Sequence, residues 1–176
     1  SEVAIRDGAR ALILPTIAEI GGRVRITAEV IDPQTQTTVY SETADGIGKE
    51  SILPSLDTIN DRLRVRLGEA LATVAETSLP LEKVTTGNID ALKIYSRSKA
   101  AYNAGDMAQA KTLLENAIAL DPGFASARIS LSQALLLGGK PEEAREQLMS
   151  ALKLINRLTA RDKLMAEAML ANLDSP

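Results

Sequence analysis

Residues 105–122 read GDMAQAKTLLENAIALDP, and a similar pattern of residues occurs 34 positions further along the chain. The shift superimposes Gly105 on Gly139, Ala110 on Ala144, Leu114 on Leu148 and Ala117 on Ala151. A repeat of this length with helical spacing predicts a pair of antiparallel helices joined at the glycine. One such pair cannot bury its apolar face alone, so neighbouring pairs are expected to stack.

The small residues of the repeat predict where helices approach closely. We expect Ala110, Ala117, Ala144 and Ala151 to be nearly fully buried, because only small side chains fit between closely packed backbones. Pro122 ends the first pair, since proline cannot continue a helix. The same shift predicts residues 164–173 as the first helix of a third unit. Asn156 stands where a proline would end the second pair, so we expect the last two helices to be joined differently.

These residues resemble the tetratricopeptide repeat (TPR) family, including its glycine, its alanines and its final Asp-Pro. The resemblance implies an all-α TPR array over residues 88–176, with two repeats and a third first-helix. Ile94 replaces the aromatic residue of the first helix, and Arg97 and Ser98 replace small residues. A TPR array implies a non-catalytic module that binds a protein or peptide partner.

In TPR arrays the first helix of each pair lines a concave groove. The resemblance therefore implies a partner-binding groove whose residues are Tyr95, Lys99, Tyr102, Asn103, Ser126, Ile129, Gln133, Leu136, Lys163 and Glu167. Tyr95 and Tyr102 either anchor a partner or pack between helices, and the sequence leaves both readings open. A carboxylate-clamp variant of the family uses several Lys, Arg and Asn residues here, which this chain matches only in part.

The amino-terminal part has a different pattern, which predicts a small antiparallel meander. Strands are expected over residues 11–20, 23–30 and 37–42, with Gly21-Gly22 as a two-residue hairpin turn. Residues 23–30 alternate between apolar and polar side chains, as a half-buried strand does. Pro15 indicates an edge strand or a bulge, because proline cannot donate a backbone hydrogen bond to a sheet. A helical stripe then follows, with which a helix can cover one sheet face: Leu56, Ile59, Leu63, Leu67, Leu71 and Val74. The whole chain is therefore predicted to be α+β, with the meander and long helix preceding the all-α array.

A wider resemblance covers the meander VRITAEVIDPQTQTTVYSE, the connector LPLEKVTTGNIDALKIYS and the tail LTARDKLMAEAM. These stretches resemble bacterial multidomain proteins in which a TolB-amino-terminal-like α/β domain precedes TPRs. The resemblance implies a partial domain of that kind over residues 1–76, a linker over 77–87, and an upstream Ser/Thr kinase, nucleotide cyclase or winged-helix domain. It also implies an alternative function, in which a ligand-sensing region regulates that upstream domain.

Composition limits the chemistry that the chain can perform. The 176 residues include no histidine and no cysteine, which excludes Ser-His-Asp and Cys-His catalysis as well as His- or Cys-based metal sites. We therefore expect no enzyme activity, no cofactor and no metal. A net charge of −3 and 2% aromatic residues give no reason to expect a nucleic-acid partner.

Two further segments are interpreted without a binding role. The stretch from Asp45 to Ser51 superficially resembles a phosphate loop. It fails that pattern, because Thr43 stands where the first Gly should be and Glu50 stands where Ser or Thr should follow Lys49. We interpret it as a flexible turn. Arg62, Arg64 and Arg66 are read as a solvated helix face rather than an anion site.

The sequence also bears on location and assembly. It has neither an apolar run of membrane-spanning length nor a signal-peptide pattern. Within the wider resemblance, the chain is expected on the cytoplasmic or periplasmic side of a bacterial membrane protein. We predict self-association into a homodimer, through an unpaired apolar strand at residues 11–20 and through Leu164, Met165 and Met169 on an uncovered last helix.

Overall fold

The computed structural model describes residues 5–68 and 79–174. The chain divides into two compact units, Ser1–Pro80 and Leu81–Pro176. The first contains a three-stranded antiparallel sheet and a helix, and the second is helical. The predicted α+β class, with a meander followed by a helical TPR-like array, is confirmed.

The sheet of the first unit consists of β1 (Leu12–Ile20), β2 (Arg23–Ile31) and β3 (Thr38–Ile47), in the order β1-β2-β3. Gly21 and Gly22 both have positive φ, 58° and 76°, which the tight turn between β1 and β2 requires and which confirms the predicted hairpin. The Asp32 carboxylate accepts a hydrogen bond of 2.7 Å from the backbone N–H of Gln34 and so fixes the second turn.

One face of β2 forms the core of the first unit. Its apolar side chains are at most 3% exposed, as the alternation predicted: Val24, Ile26, Ala28 and Val30. A 3₁₀ turn (Lys49–Ser51) leads into helix α1 (Ile52–Arg66), whose Ile59 and Leu63 pack on this face. Leu67 does not follow the predicted apolar stripe. Leu67 lies beyond α1 and is 57% exposed, while Leu71 and Val74 lie outside the described residues.

Strand β3 is longer than predicted, and the flexible turn predicted from Asp45 onward is wrong. Asp45, Gly46 and Ile47 belong to β3. Asp45 pairs with Arg25 of β2 through two hydrogen bonds of 2.7 and 2.8 Å, and this bidentate contact lies across the ladder. A charged pair on neighbouring strands thus extends the strand into a stretch whose glycines suggested a loop.

The predicted solvated face of α1 is confirmed for Arg62 and Arg66, which are both exposed, although each also contacts β3. Arg66 Nε lies 2.6 Å from Glu42, and its guanidinium lies 5.2 Å from the Tyr40 ring centroid. Arg62 donates a hydrogen bond of 2.9 Å to the Thr43 carbonyl. These side chains connect α1 to β3, because their long stems reach across the edge of the helix.

Strand β1 is an edge strand that pairs only with β2 among the described strands. The two-residue hairpin makes Ile20 and Arg23 a hydrogen-bonded pair, so even-numbered residues of β1 direct their backbone groups toward β2. The backbone nitrogen of Pro15 therefore points to the open edge, where its missing N–H breaks no bond. The expected edge position of Pro15 is confirmed.

The second unit begins with a short helix, α2 (Leu81–Val84), inside the stretch predicted as a linker. Five longer helices follow: α3 (Ile89–Asn103), α4 (Met107–Leu120), α5 (Ala125–Leu137), α6 (Pro141–Leu152) and α7 (Ala160–Asp174). Asn88 caps α3 by accepting hydrogen bonds from the backbone N–H groups of Asp90 and Ala91.

Helices α3 and α4 form one antiparallel pair, and α5 and α6 form the next. The four alanines predicted at close helix contacts have no exposed surface: Ala110, Ala117, Ala144 and Ala151. Leu114 and Leu148 are at most 2% exposed and fill the space one turn away. The repeat register derived from the 34-residue shift is confirmed by this burial.

The connection between α6 and α7 differs from the earlier ones, as predicted. A 3₁₀ turn (Ile155–Arg157) replaces the proline-ended turn. Arg157 donates hydrogen bonds to the Thr85 carbonyl and to the Asp121 carboxylate, at 3.2 and 3.4 Å. The buried Thr86 hydroxyl donates to the same carboxylate at 2.6 Å. This network connects three of the loops between the described helices of the second unit, namely those that contain Thr86, Asp121 and Arg157.

The prediction that the last helix leaves three apolar residues open is wrong for two of them. Met165 and Met169 are partly buried against the cluster that contains Ala125 and Ile129 of α5. Leu164 is 66% exposed. The helix begins at Ala160, four residues before its predicted start.

Candidate functional site

A cavity of about 470 Å³ lies between α3, α5 and α7, the first helices of the three successive pairs. Seven residues predicted for the groove line it: Tyr95, Lys99, Tyr102, Asn103, Ser126, Ile129 and Gln133. The remaining lining residues are Ser98, Leu114, Ser130, Arg161, Asp162 and Met165. The helical spacing within α3 and α5 brings the first group to one side of the array.

Three predicted groove residues do not line this cavity. Leu136 is partly buried against the core between α3 and α5. Lys163 and Glu167 form an ion pair one turn apart on α7, with 3.8 Å between Nζ and Oε1. The groove positions predicted for α7 came from extending the 34-residue shift across the connection between α6 and α7. The 3₁₀ turn changes that register, so Arg161, Asp162 and Met165 contribute instead. A missing proline at Asn156 was the one sequence signal for this change.

Tyr95 forms part of the cavity wall and is held from three sides. Its ring centroid lies 4.8 Å from that of buried Phe124, and its hydroxyl lies 3.2 Å from the Ser130 hydroxyl. The Lys99 ammonium lies 5.0 Å from the ring centroid. Tyr95 thus packs between α3 and α5 while it lines the cavity, so the alternative left open by the sequence is answered in favour of packing for this residue. Tyr102 is 36% exposed at the same wall.

The cavity lining has more positive than negative side chains. Lys99 and Arg161 are exposed, and neither has a carboxylate partner within the described parts of the chain. Asp162 is the acidic lining residue, and it accepts a hydrogen bond of 2.8 Å from the Thr159 hydroxyl. Its backbone N–H donates back to that hydroxyl at 3.1 Å, so Asp162 belongs to the cap of α7.

The lining side chains are suited to noncovalent contacts. Gln133 lies near the Met165 sulfur, with 3.8 Å between Nε2 and Sδ. Within residues 5–68 and 79–174, no group of three or more acidic side chains forms a candidate metal site. In the same ranges, no helix is both long and apolar enough to cross a bilayer. The cavity therefore offers aromatic, amide, hydroxyl and cationic groups on rigid helices.

Comparison with protein families supports the helical half as a TPR protein. The tetratricopeptide repeat model matches residues 101–168, which run from α3 into α7. Curated proteins give no match to this chain. TPR repeats generally mediate protein–protein interactions, and the family is typically non-catalytic. The TolB-like reading of residues 1–76 and the multidomain regulatory context remain predictions.

Proposed function

We propose that this chain is a non-catalytic interaction and scaffolding module that binds a protein or peptide partner in the cavity between α3, α5 and α7. The observation that supports this function most directly is the cavity itself. Its walls come from the first helix of each pair, and seven side chains predicted from the sequence meet there. Stacked helices hold these side chains in place before a partner arrives, which lowers the entropy lost on binding.

The chemistry of the lining favours a peptide-like occupant. Tyr102 offers a partly exposed aromatic ring, and aromatic side chains are enriched among residues that dominate binding energy. Asn103 and Gln133 each provide an amide donor and acceptor that can pair with a peptide backbone. A volume of about 470 Å³ accommodates a few side chains of an extended segment rather than a folded domain.

The wider resemblance places this module in a bacterial signalling or regulatory protein, with a partial TolB-like domain over residues 1–76 and TPRs over 88–176. In that setting the module connects an upstream domain with its partner. We also propose that the chain forms a homodimer, because β1 has exposed apolar side chains. We further propose that it binds no nucleic acid, because its net charge is −3.

Site-specific crosslinking tests the groove. A photo-crosslinking amino acid at Tyr102 or Asn103 should trap a partner in cells, whereas the same amino acid at exposed Asn116 of α4 should not. The trapped protein is then purified, and its affinity is measured by calorimetry. Asn103→Ala and Gln133→Ala should weaken binding, while the matched amide deletion Asn116→Ala should leave it unchanged.

Two outcomes would count against this function. Equal crosslinking from Asn116 and Asn103 would move the binding surface away from the cavity. Alternatively, calorimetry could show that a small metabolite binds the first unit while no protein binds the groove. That result would favour the ligand-sensing function, in which this region regulates an upstream kinase or cyclase.

A further inference from the structure

We infer that the groove selects an acidic partner, namely an extended peptide segment whose carboxylates contact Lys99 and Arg161. This inference rests on the proposed function and specifies the chemistry of its partner. The two cations lie on the lining of one cavity, Lys99 on α3 and Arg161 on α7. A segment that occupies the cavity therefore meets positive charge contributed by two separate helices.

Lys99 is held at the cavity, and no carboxylate of the described residues pairs with it. Its ammonium lies 5.0 Å from the centroid of the Tyr95 ring, within the range of a cation–π contact. Tyr95 is itself fixed by Phe124 and Ser130. The charge is thus positioned in advance by an aromatic ring, which leaves the N–H groups of the ammonium available to an incoming carboxylate.

Arg161 occupies a place where helix electrostatics disfavour a cation. It is in the first turn of α7, at the positive end of the helix dipole, where acidic residues are stabilising. By contrast, α6 carries Glu142 and Glu143 in its first turn. No carboxylate of the described residues pairs with Arg161. The helix dipole does not favour an arginine here, although Asp162 beside it supplies an acidic residue to the same turn, and an anion in the adjoining cavity would compensate the charge of Arg161.

Basic side chains in the described part of the second unit fall into two groups. Six of them lie within 4.0 Å of a carboxylate: Lys93, Lys111, Lys140, Arg145, Arg157 and Lys163. Among the described residues, Lys99 and Arg161 have no carboxylate within this distance, and neither do four basic residues outside the cavity: Lys83, Arg97, Arg128 and Lys153. The acidic lining residue, Asp162, takes part in the cap of α7. With two cations and one carboxylate on its lining, the cavity has a net positive charge.

This arrangement differs from the carboxylate clamp that the sequence matched in part. Lys163, which that match included, pairs with Glu167 and does not line the cavity. Arg161 supplies the cation on α7, and the sequence pattern did not identify it. Apolar lining from Ile129 and Met165 lies beside the two charges, so the favoured segment combines carboxylates with an aliphatic side chain.

A peptide library provides the test. A pooled library of random dodecapeptides is captured on the full chain, and the bound peptides are sequenced. We expect enrichment of Asp and Glu together with aliphatic residues. Representative peptides are then labelled and titrated by fluorescence anisotropy in three forms. One carries acidic side chains and an amidated carboxyl end, one has the acids replaced by amides, and one presents only a free terminal carboxylate. The first and third forms separate side-chain from terminal carboxylates as the source of recognition.

Charge variants locate the recognition. The double variant Lys99→Gln with Arg161→Gln should bind the acidic peptide about three- to tenfold more weakly, the scale expected for two partly exposed ion pairs. The control Lys93→Gln removes the same charge from α3 outside the cavity and should have no effect. Binding by the parent chain should also weaken as salt rises, and the double variant should show a smaller salt dependence.

The outcomes distinguish this inference from the function on which it depends. Groove-dependent capture of peptides without acidic enrichment, or acidic binding that is unaffected in the double variant, would overturn the acidic specificity alone. Failure to capture any peptide, together with no crosslinking at Asn103, would overturn the peptide-binding function as well. Thermal unfolding of each variant, followed by circular dichroism, verifies that lost binding reflects lost charge rather than lost structure.

Discussion

The helical repeat and strand β1 are both rich in apolar residues but bury them very differently. In the α5–α6 pair, Leu148 and Ala144 have no exposed surface. In β1, Ile13 and Ile17 are 47% and 58% exposed, although they lie on the same sheet face as the core of β2. Repetition explains the difference, since every helix pair finds an equivalent neighbour, whereas α1 packs on β2 and β3.

Truncating one apolar side chain in the helical repeat and one in β1 should give the largest difference in the free energy of unfolding between the two regions. Leu148→Ala leaves a cavity in a closely packed contact and should lower the free energy of unfolding by about 2–5 kcal/mol. Ile17→Ala removes a side chain that is more than half exposed and should cost no more than about 1 kcal/mol. Urea titration followed by circular dichroism measures the first, and hydrogen exchange of β2 amides measures the second. Equal losses would contradict the comparison.

Adding volume probes the same contact from the other direction. Ala144→Leu should destabilise the second unit by about 1–3 kcal/mol, because a larger side chain does not fit between α5 and its neighbours. Ala108→Leu is the matched control, since Ala108 is exposed on α4 and the change in helix propensity is similar. Urea titrations of both variants decide the matter. A neutral Ala144→Leu would mean that the burial derived from the repeat is incorrect.

Local patterns predicted the fold well where packing follows from spacing. The four repeat alanines, the alternation of β2 and the Gly21-Gly22 turn all specify a contact or a dihedral angle within a short stretch. The contacts of Arg66 with Glu42 and Tyr40 were not predictable, because they join elements that are distant in sequence.

The candidate site was predictable on two of its three walls. The residues of α3 and α5 follow from the helical period, but those of α7 depend on the angle at which the chain leaves the 3₁₀ turn. In α7, which begins at Ala160, Arg161 lines the cavity and Lys163 forms an ion pair with Glu167. A small change in a connector thus alters which side chains of the next helix face the cavity, and the helical period of the sequence does not predict such a change.

The exposed β1 surface leads to a prediction about assembly. Static light scattering over a range of concentrations should show the mass rising above 18.7 kDa toward twice that value. The surface of Ile13, Ile17 and the unpaired edge provides the contact, because Met165 and Met169 are covered within the chain. Ile17→Lys should shift the equilibrium toward the monomer. A constant mass of 18.7 kDa at high micromolar concentration would contradict the predicted homodimer.

The smallest effect concerns the ion pair that extends β3, and it depends on pH. The hydrogen bonds from Arg25 lower the pKa of Asp45 below its usual value, because they favour the charged carboxylate. A carboxyl whose pKa is lower in the folded state stabilises that state above its unfolded pKa, near 4, and the stabilisation is lost as pH falls through the folded value. NMR titration of the Asp45 carboxyl between about pH 6 and pH 2 should therefore give a midpoint below the usual range. Fraying of residues 45–47 should accompany the protonation of Asp45.

The variant Asp45→Asn should remove this acid-dependent fraying while leaving α5 and α6 unchanged, since its effect is confined to the exposed end of the sheet. A normal midpoint for Asp45 would show that the pair with Arg25 does not persist in solution.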